Sequence, residues 1–193
     1  MKKILQIVKA NPDHVVIIDE AYVDFGGESC VDLIHQYDNL LVVGTYSKSR
    51  SMAGARLGFA FGNRDLIADL ETIKFSTNPY NINRLTLAAG IAAIEDQEYY
   101  TNHCKEIIRT RQWTQQALRD RGFVTTDSKA NFIFAKSDRV NGKILYQRLK
   151  EKGILVRHFE KPLIADYNRI TVGTQPQMEA LITAIDEILK ENT

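Results

Sequence analysis

The first hundred residues alternate between short apolar runs and amphipathic stretches. Val15–Asp19 (V-V-I-I-D) and Leu40–Thr45 (L-L-V-V-G-T) are nearly continuous β-branched runs, the pattern of strands buried on both faces. Ala55–Gly62 (A-R-L-G-F-A-F-G) predicts a third strand, interrupted by glycine. Residues 2–10 carry a helical pattern that stops at Asn11-Pro12. Arg64–Phe75 sets Leu66, Ile67, Leu70 and Ile73 on one helical stripe. After the breaker-rich S-T-N-P-Y-N, a small-residue helix is expected over 82–95, then a long one over 97–121 that ends at Gly122.

The pattern then changes. Short strands are expected at 123–126 and 131–136, a helix over 141–152 closed by Gly153, strands at Ile154–Phe159 and Arg169–Gly173, and a terminal helix over 176–190. The fold class is therefore α/β. A mostly parallel, doubly wound sheet with helices on both faces is followed by a small α+β lobe. The break falls within or near the long helix, giving domains of 1–98 and 99–193.

Composition narrows the function classes. The chain has 193 residues, a formal net charge of +1, 44% hydrophobic and 25% charged residues. That balance offers no electrostatic case for nucleic acid or a membrane surface as partner. Cys30 and Cys104 lie far apart without metal or redox spacing, so reduced thiols are expected. His14, His35, His103 and His158 are scattered without ligand spacing, so no metal is expected. Met1-Lys2-Lys3 is followed by no apolar core of a signal peptide, and no stretch approaches the length of a membrane span. A soluble, cytoplasmic protein is expected.

The chemistry gathers at strand ends, where ligands bind in parallel α/β sheets. Asp19 ends the first strand, with Tyr22 three residues on in D-E-A-Y. Lys48 follows the second, flanked by Thr45, Ser47 and Arg56. If the two strands are neighbours, a carboxylate, a phenol and an amine converge beside phosphate-type donors. This is the set that a phosphorylated pyridinium aldehyde, pyridoxal phosphate, requires. Lys48 would form the Schiff base and then shuttle a proton. Asp19 would keep the ring nitrogen protonated, Tyr22 would donate to the ring oxygen, and Thr45, Ser47 and Arg56 would hold the phosphate.

D-E-A-Y, S-K and A-G-x-R-x-G-F in this order resemble the fold-type-I, class II pyridoxal-phosphate aminotransferases. Within them the chain is most similar to the histidinol-phosphate branch. The blocks are V-V-I-I-D-E-A-Y-V-D-F at 15–25, T-Y-S-K-S at 45–49, A-G-A-R-L-G-F at 53–59 and P-Y-N-I-N at 79–83. They continue with A-N-F-I-F at 130–134, G-I-L-V-R at 153–157 and R-I-T-V-G-T at 169–174. The resemblance implies transfer of an amino group from histidinol phosphate to 2-oxoglutarate, giving imidazole acetol phosphate and glutamate in histidine biosynthesis. It implies a homodimer, with Arg169 and Arg157 binding substrate carboxylate and phosphate. A phosphothreonine decarboxylase, an aromatic aminotransferase and a non-catalytic fragment are the alternatives.

The chain also departs from the family. Ser49-Arg50-Ser51-Met52 replaces a more apolar stretch and is expected to be tolerated variation in a turn. Asn168 stands where leucine often precedes R-I-T-V-G-T. Only 18 residues precede Asp19, so the chain is expected to be the C-terminal part of such an enzyme. Asp19 could instead cap a turn, Tyr22 could be a half-buried core residue, and Arg157 could pair with a local carboxylate such as Glu160. Asp24-Phe25-Gly26-Gly27 is expected to be a plain loop.

Overall fold

A computed structural model describes residues 1–191. The chain forms two compact units, one over Met1–Asn102 and one beginning at His103.

The first unit contains α1 (Lys2–Ala10), β1 (Val16–Asp19), β2 (Leu40–Thr45), β3 (Gly58–Gly62), α2 (Arg64–Thr77), α3 (Arg84–Glu95) and the start of α4 (Gln97–Arg119). Its sheet has the order β1-β2-β3. β1 and β2 run parallel, with Asp19 beside Val43. β3 is antiparallel to β2, pairing Thr45 with Gly58. The chain reverses through residues 46–57 at the end of β2, with no crossover to carry it back to the other end of the sheet. The expected third strand loses its first residues. Ala53–Ala55 form a 3-10 turn, and Arg56 takes the left-handed φ of 54°.

Valine, leucine and cysteine hold this unit together on one side of the sheet. Val8, Cys30, Leu40 and Val42 are buried there, with Ile4, Val16, Ile18 and Leu33 against them. The other side does not match the expected two-faced burial: Ile17 is 61% exposed among the described residues. α1 covers only the face onto which Val16 and Ile18 alternate. Asparagine starts two helices, because its side chain accepts an otherwise orphaned amide. Asn63 accepts from Asp65 at 2.7 Å, and Asn83 from Thr86 at 2.9 Å.

The second unit contains β4 (Phe123–Thr125), β5 (Phe132–Ser137), α5 (Gly142–Glu151), β6 (Arg157–His158), β7 (Asn168–Thr171) and α6 (Gln175–Glu191). The sheet is antiparallel throughout in the order β4-β5-β7-β6. Ile133, Leu145, Leu149 and Ile170 bury against Leu181, Ile185 and Ile188 of α6. Gly122 and Gly153 take φ of 81° and 77°, the left-handed turns that close α4 and α5. The strand expected at Ile154–Phe159 pairs only over Arg157–His158, at the sheet edge. Asn168 is buried where an apolar residue was the family expectation, and its Nδ2 donates to the Gly142 carbonyl at 2.9 Å. Arg121 donates two bonds to Asp186, at 2.6 and 2.7 Å, tying the end of α4 to α6. That guanidinium holds the Asp186 carboxyl below the usual carboxylate range. No helix among the described residues is long and apolar enough to cross a membrane.

Candidate functional site

The parallel β1–β2 pair delivers Asp19 and Lys48 to the same end of the sheet. Register sets Asp19 beside Val43, and Thr45, two residues on, shares that face. Asp19 is exposed and Oδ1 accepts from the Ala21 amide at 2.9 Å. The bland turn-capping role is thus present, but it occupies one oxygen. The Lys48 Nζ lies 5.5 Å from the centre of the half-buried Tyr22 ring. Lys48, Asp19 and Arg56 have no ion-pair partner among the described residues.

The hydroxyl pair is preorganised. Thr45 Oγ1 accepts from the Ser47 amide at 3.0 Å and donates to Ser47 Oγ at 2.9 Å. The Thr45 hydroxyl also lies 3.4 Å from the Leu57 carbonyl, so its one proton has two acceptors within reach. Arg56 is exposed, with Nη1 donating to the Ala53 carbonyl at 3.2 Å. An arginine has five N–H donors, so most of its fork stays available to an anion. A lysine amine without a carboxylate, a strand-end aspartate and a hydroxyl–guanidinium set fit pyridoxal phosphate in kind. A cavity of about 180 Å³ opens on the sheet, but Thr45 is its sole wall among these residues.

Three polar side chains around Lys48 escaped the sequence reading. Ser49, expected in a tolerant turn, is 2% exposed, and its hydroxyl donates to the Asp24 carboxylate. Arg50 donates to the Ala93 carbonyl and stacks 3.6 Å above the Tyr100 ring. Asp24 therefore does more than fill a loop. The signal was thin, since nothing in a hydropathy pattern marks a serine as buried. Glu20 is likewise structural, accepting from Ser29 Oγ and the Cys30 amide, both at 2.7 Å. Burial, with Glu20 adjacent, pushes the Cys30 thiol up to about 11. Both cysteines are buried.

In the second unit Arg157 and Arg169 are register partners across β6 and β7. Cross-strand partners project from the same face, and like charges there repel unless an anion intervenes. Arg169 lies 5.4 Å from the Phe132 ring centre and Arg157 5.6 Å from that of Phe159. The Arg169 Nε is buried without a hydrogen-bond partner. Glu160 does not neutralise Arg157. It bonds Lys143 at 3.1 Å, which holds its carboxyl below the usual range.

The family description "Aminotransferase class I and II" matches residues 1–185. The chain is 46% identical to the histidinol-phosphate aminotransferase of Chromohalobacter salexigens, over 97% of this chain and 53% of that protein. It is 50% identical to the namesake of Brachyspira hyodysenteriae, over 96% and 52%. The chain thus spans about half the length of the curated relatives it matches. Among solved structures it superposes on the histidinol-phosphate aminotransferase of Clostridium acetobutylicum with a TM-score of 0.88 at 24% identity, covering 98% of this chain and 59% of that one. The Sinorhizobium meliloti histidinol-phosphate aminotransferase, solved in complex with pyridoxal-5'-phosphate, gives 0.82 at 23% identity, with coverage of 97% and 53%. At those identities the likeness is one of fold.

Proposed function

Because this chain belongs to the class I and II aminotransferases, we propose that it supplies the lysine-bearing part of an enzyme that moves the amino group of histidinol phosphate to 2-oxoglutarate. The observation that carries the reading is Lys48, without an ion-pair partner among the described residues, at the end of the strand parallel to the one that ends in Asp19. The choice of substrate is supported by the relatives at 46% and 50% identity, both named for it.

Pyridoxal phosphate, when bound, supplies an electron sink that acidifies the carbon bearing the substrate's amino group. Lys48 would hold it through the ε-amine and, once displaced, take and return the proton at that carbon. Asp19 would accept from the ring N–H and keep the proton there. Tyr22 would donate to the ring oxygen. Thr45, Ser47 and Arg56 would grip the phosphate. Arg169 would bind the glutamate carboxylate in one half-reaction and the histidinol-phosphate phosphate in the other, with Arg157 adding a second cation for the dianion. We assign residues 1–98 to the cofactor-binding domain and 99–193 to the small domain. A cytoplasmic homodimer is the assembly proposed.

The test mixes the chain with pyridoxal phosphate and follows the visible absorbance of the lysine adduct. In the active enzyme containing this chain, histidinol phosphate should discharge it and 2-oxoglutarate should restore it. Discharge by phosphothreonine or an aromatic amino acid alone would replace the substrate assignment. No adduct at all would defeat the lysine assignment.

A further inference from the structure

A lysine that must both hold and release a ligand swings its side chain between rotamers while its Cα stays in place. The backbone around Lys48 is already folded on itself. Met52 donates its amide to the Tyr46 carbonyl at 3.0 Å, and Ser51 to the Lys48 carbonyl at 3.2 Å, with Ser51 in the left-handed region at φ 57°. These bonds close the loop, and the Tyr46 amide, donating to the Leu57 carbonyl at 3.1 Å, ties its two ends together between β2 and β3. The two side chains directly after the lysine tie its middle to elements farther along the chain.

We infer that Ser49 and Arg50 are positioning residues that pin the Lys48 backbone from two sides, an inference that rests on the role proposed for Lys48. On one side the buried Ser49 hydroxyl bonds the Asp24 carboxylate. Asp24 lies in the 3-10 turn Val23–Phe25, which starts directly after Tyr22. The bond therefore joins the segment carrying the phenol to the loop carrying the amine, and sets the 5.5 Å between Tyr22 and Lys48. On the other side Arg50 donates to the Ala93 carbonyl near the end of α3 and lies 3.6 Å above the Tyr100 ring in the first turn of α4. Arginine suits this place because its plane stacks on an aromatic face while the fork still donates. The Ser49 hydroxyl is spent on Asp24, and the Arg50 plane on Tyr100 and the Ala93 carbonyl. The two reach different elements, the turn after Tyr22 and the α3–α4 segment.

The experiment compares the reference chain with Ser49→Ala, Ser49→Thr, Arg50→Ala and Arg50→Lys in two readouts. The first is amide hydrogen exchange without ligand. Ser49→Ala should speed exchange at Ser51 and Met52 and, with them, at Phe25 and Gly27 of the Tyr22 segment. Acceleration confined to 46–52 would overturn the coupling. The second is the rate at which pyridoxal phosphate is trapped on Lys48 by borohydride, measured well below the melting temperature. Ser49→Ala and Arg50→Ala should slow capture about tenfold. Ser49→Thr, which keeps the hydroxyl, should capture at the reference rate, and Arg50→Lys, which loses the stacking plane, should not. Equal capture by folded Ala variants would make both residues merely structural and overturn the inference. If the reference chain captures nothing, the lysine assignment fails, and the exchange experiment alone decides whether the pinning exists.

Discussion

At the residue scale, the proposed roles divide between holding and activating. Asp19 stands on β1 and the hydroxyls and Arg56 stand on or beyond β2, so its loss should spare the phosphate anchor. In the active enzyme containing this chain, Asp19→Ala should lower turnover about a hundredfold or more while changing cofactor affinity far less. Equal losses in both would end that division, and titration with pyridoxal phosphate beside steady-state kinetics measures it. The cross-strand arginines separate in a different way. Arg169→Ala should weaken glutamate and histidinol phosphate alike. Arg157→Ala should weaken histidinol phosphate by about ten- to a hundredfold, the size of one charge-assisted hydrogen bond, and leave glutamate nearly unchanged. An unaltered kcat/KM for histidinol phosphate would return Arg157 to a structural part. Asp19, Lys48 and Arg56 were legible as candidates because strand-end placement is written in the order of apolar runs and polar groups, whereas Arg157 and Arg169 became candidates only through the family resemblance. Ser49, Arg50 and Asp24 were not, because their significance lies in which distant atoms they reach.

At the element scale, the strands and helices follow from periodicity, capping asparagines and terminal glycines, and their ends shift where tertiary contacts intervene. β3 starts late because Arg56 turns left-handed, and β6 shrinks because it has one neighbour, β7. Periodicity also gave no hint that β3 would run antiparallel, a consequence of how residues 46–57 turn. Gly142 shows how context overrides propensity. Alanine in a helix is ordinarily worth about 1 kcal/mol over glycine. Here a Cβ would lie 2.5 Å from the Asp166 carbonyl oxygen, a backbone atom with little room to retreat. Gly142→Ala should therefore destabilise the second unit by about 1–3 kcal/mol, read by denaturant unfolding. A stabilised variant would mean that α5 stands farther from residue 166. The Arg121–Asp186 bridge predicts a pH effect. A carboxyl whose folded pKa is depressed contributes stability above its unfolded pKa and loses it as pH falls through the folded value. Asp186→Asn should remove that acid-side loss from the pH–stability curve. Asp186 is 40% exposed, so solvent screening keeps the effect at roughly 1 kcal/mol or less.

At the scale of the whole molecule, the two units differ in how much apolar surface they bury. The second closes its core between α5, α6 and an antiparallel sheet. The first leaves Ile17, Phe75 and Leu85 at 61%, 67% and 84% exposure. Burial of apolar area is the main source of stability, so amides of β5, β7 and α6 should exchange more slowly than those of β1–β3. Equal protection, read by hydrogen exchange with mass spectrometry, would contradict this ranking. The central claim, that Lys48 holds the cofactor, is tested most directly by reducing the chain with borohydride in the presence of pyridoxal phosphate and mapping the label by peptide mass. The expected result is one phosphopyridoxyl group on Lys48, lost in Lys48→Ala. Label that persists in Lys48→Ala, or that spreads over other lysines with Lys48 unmodified, would contradict it.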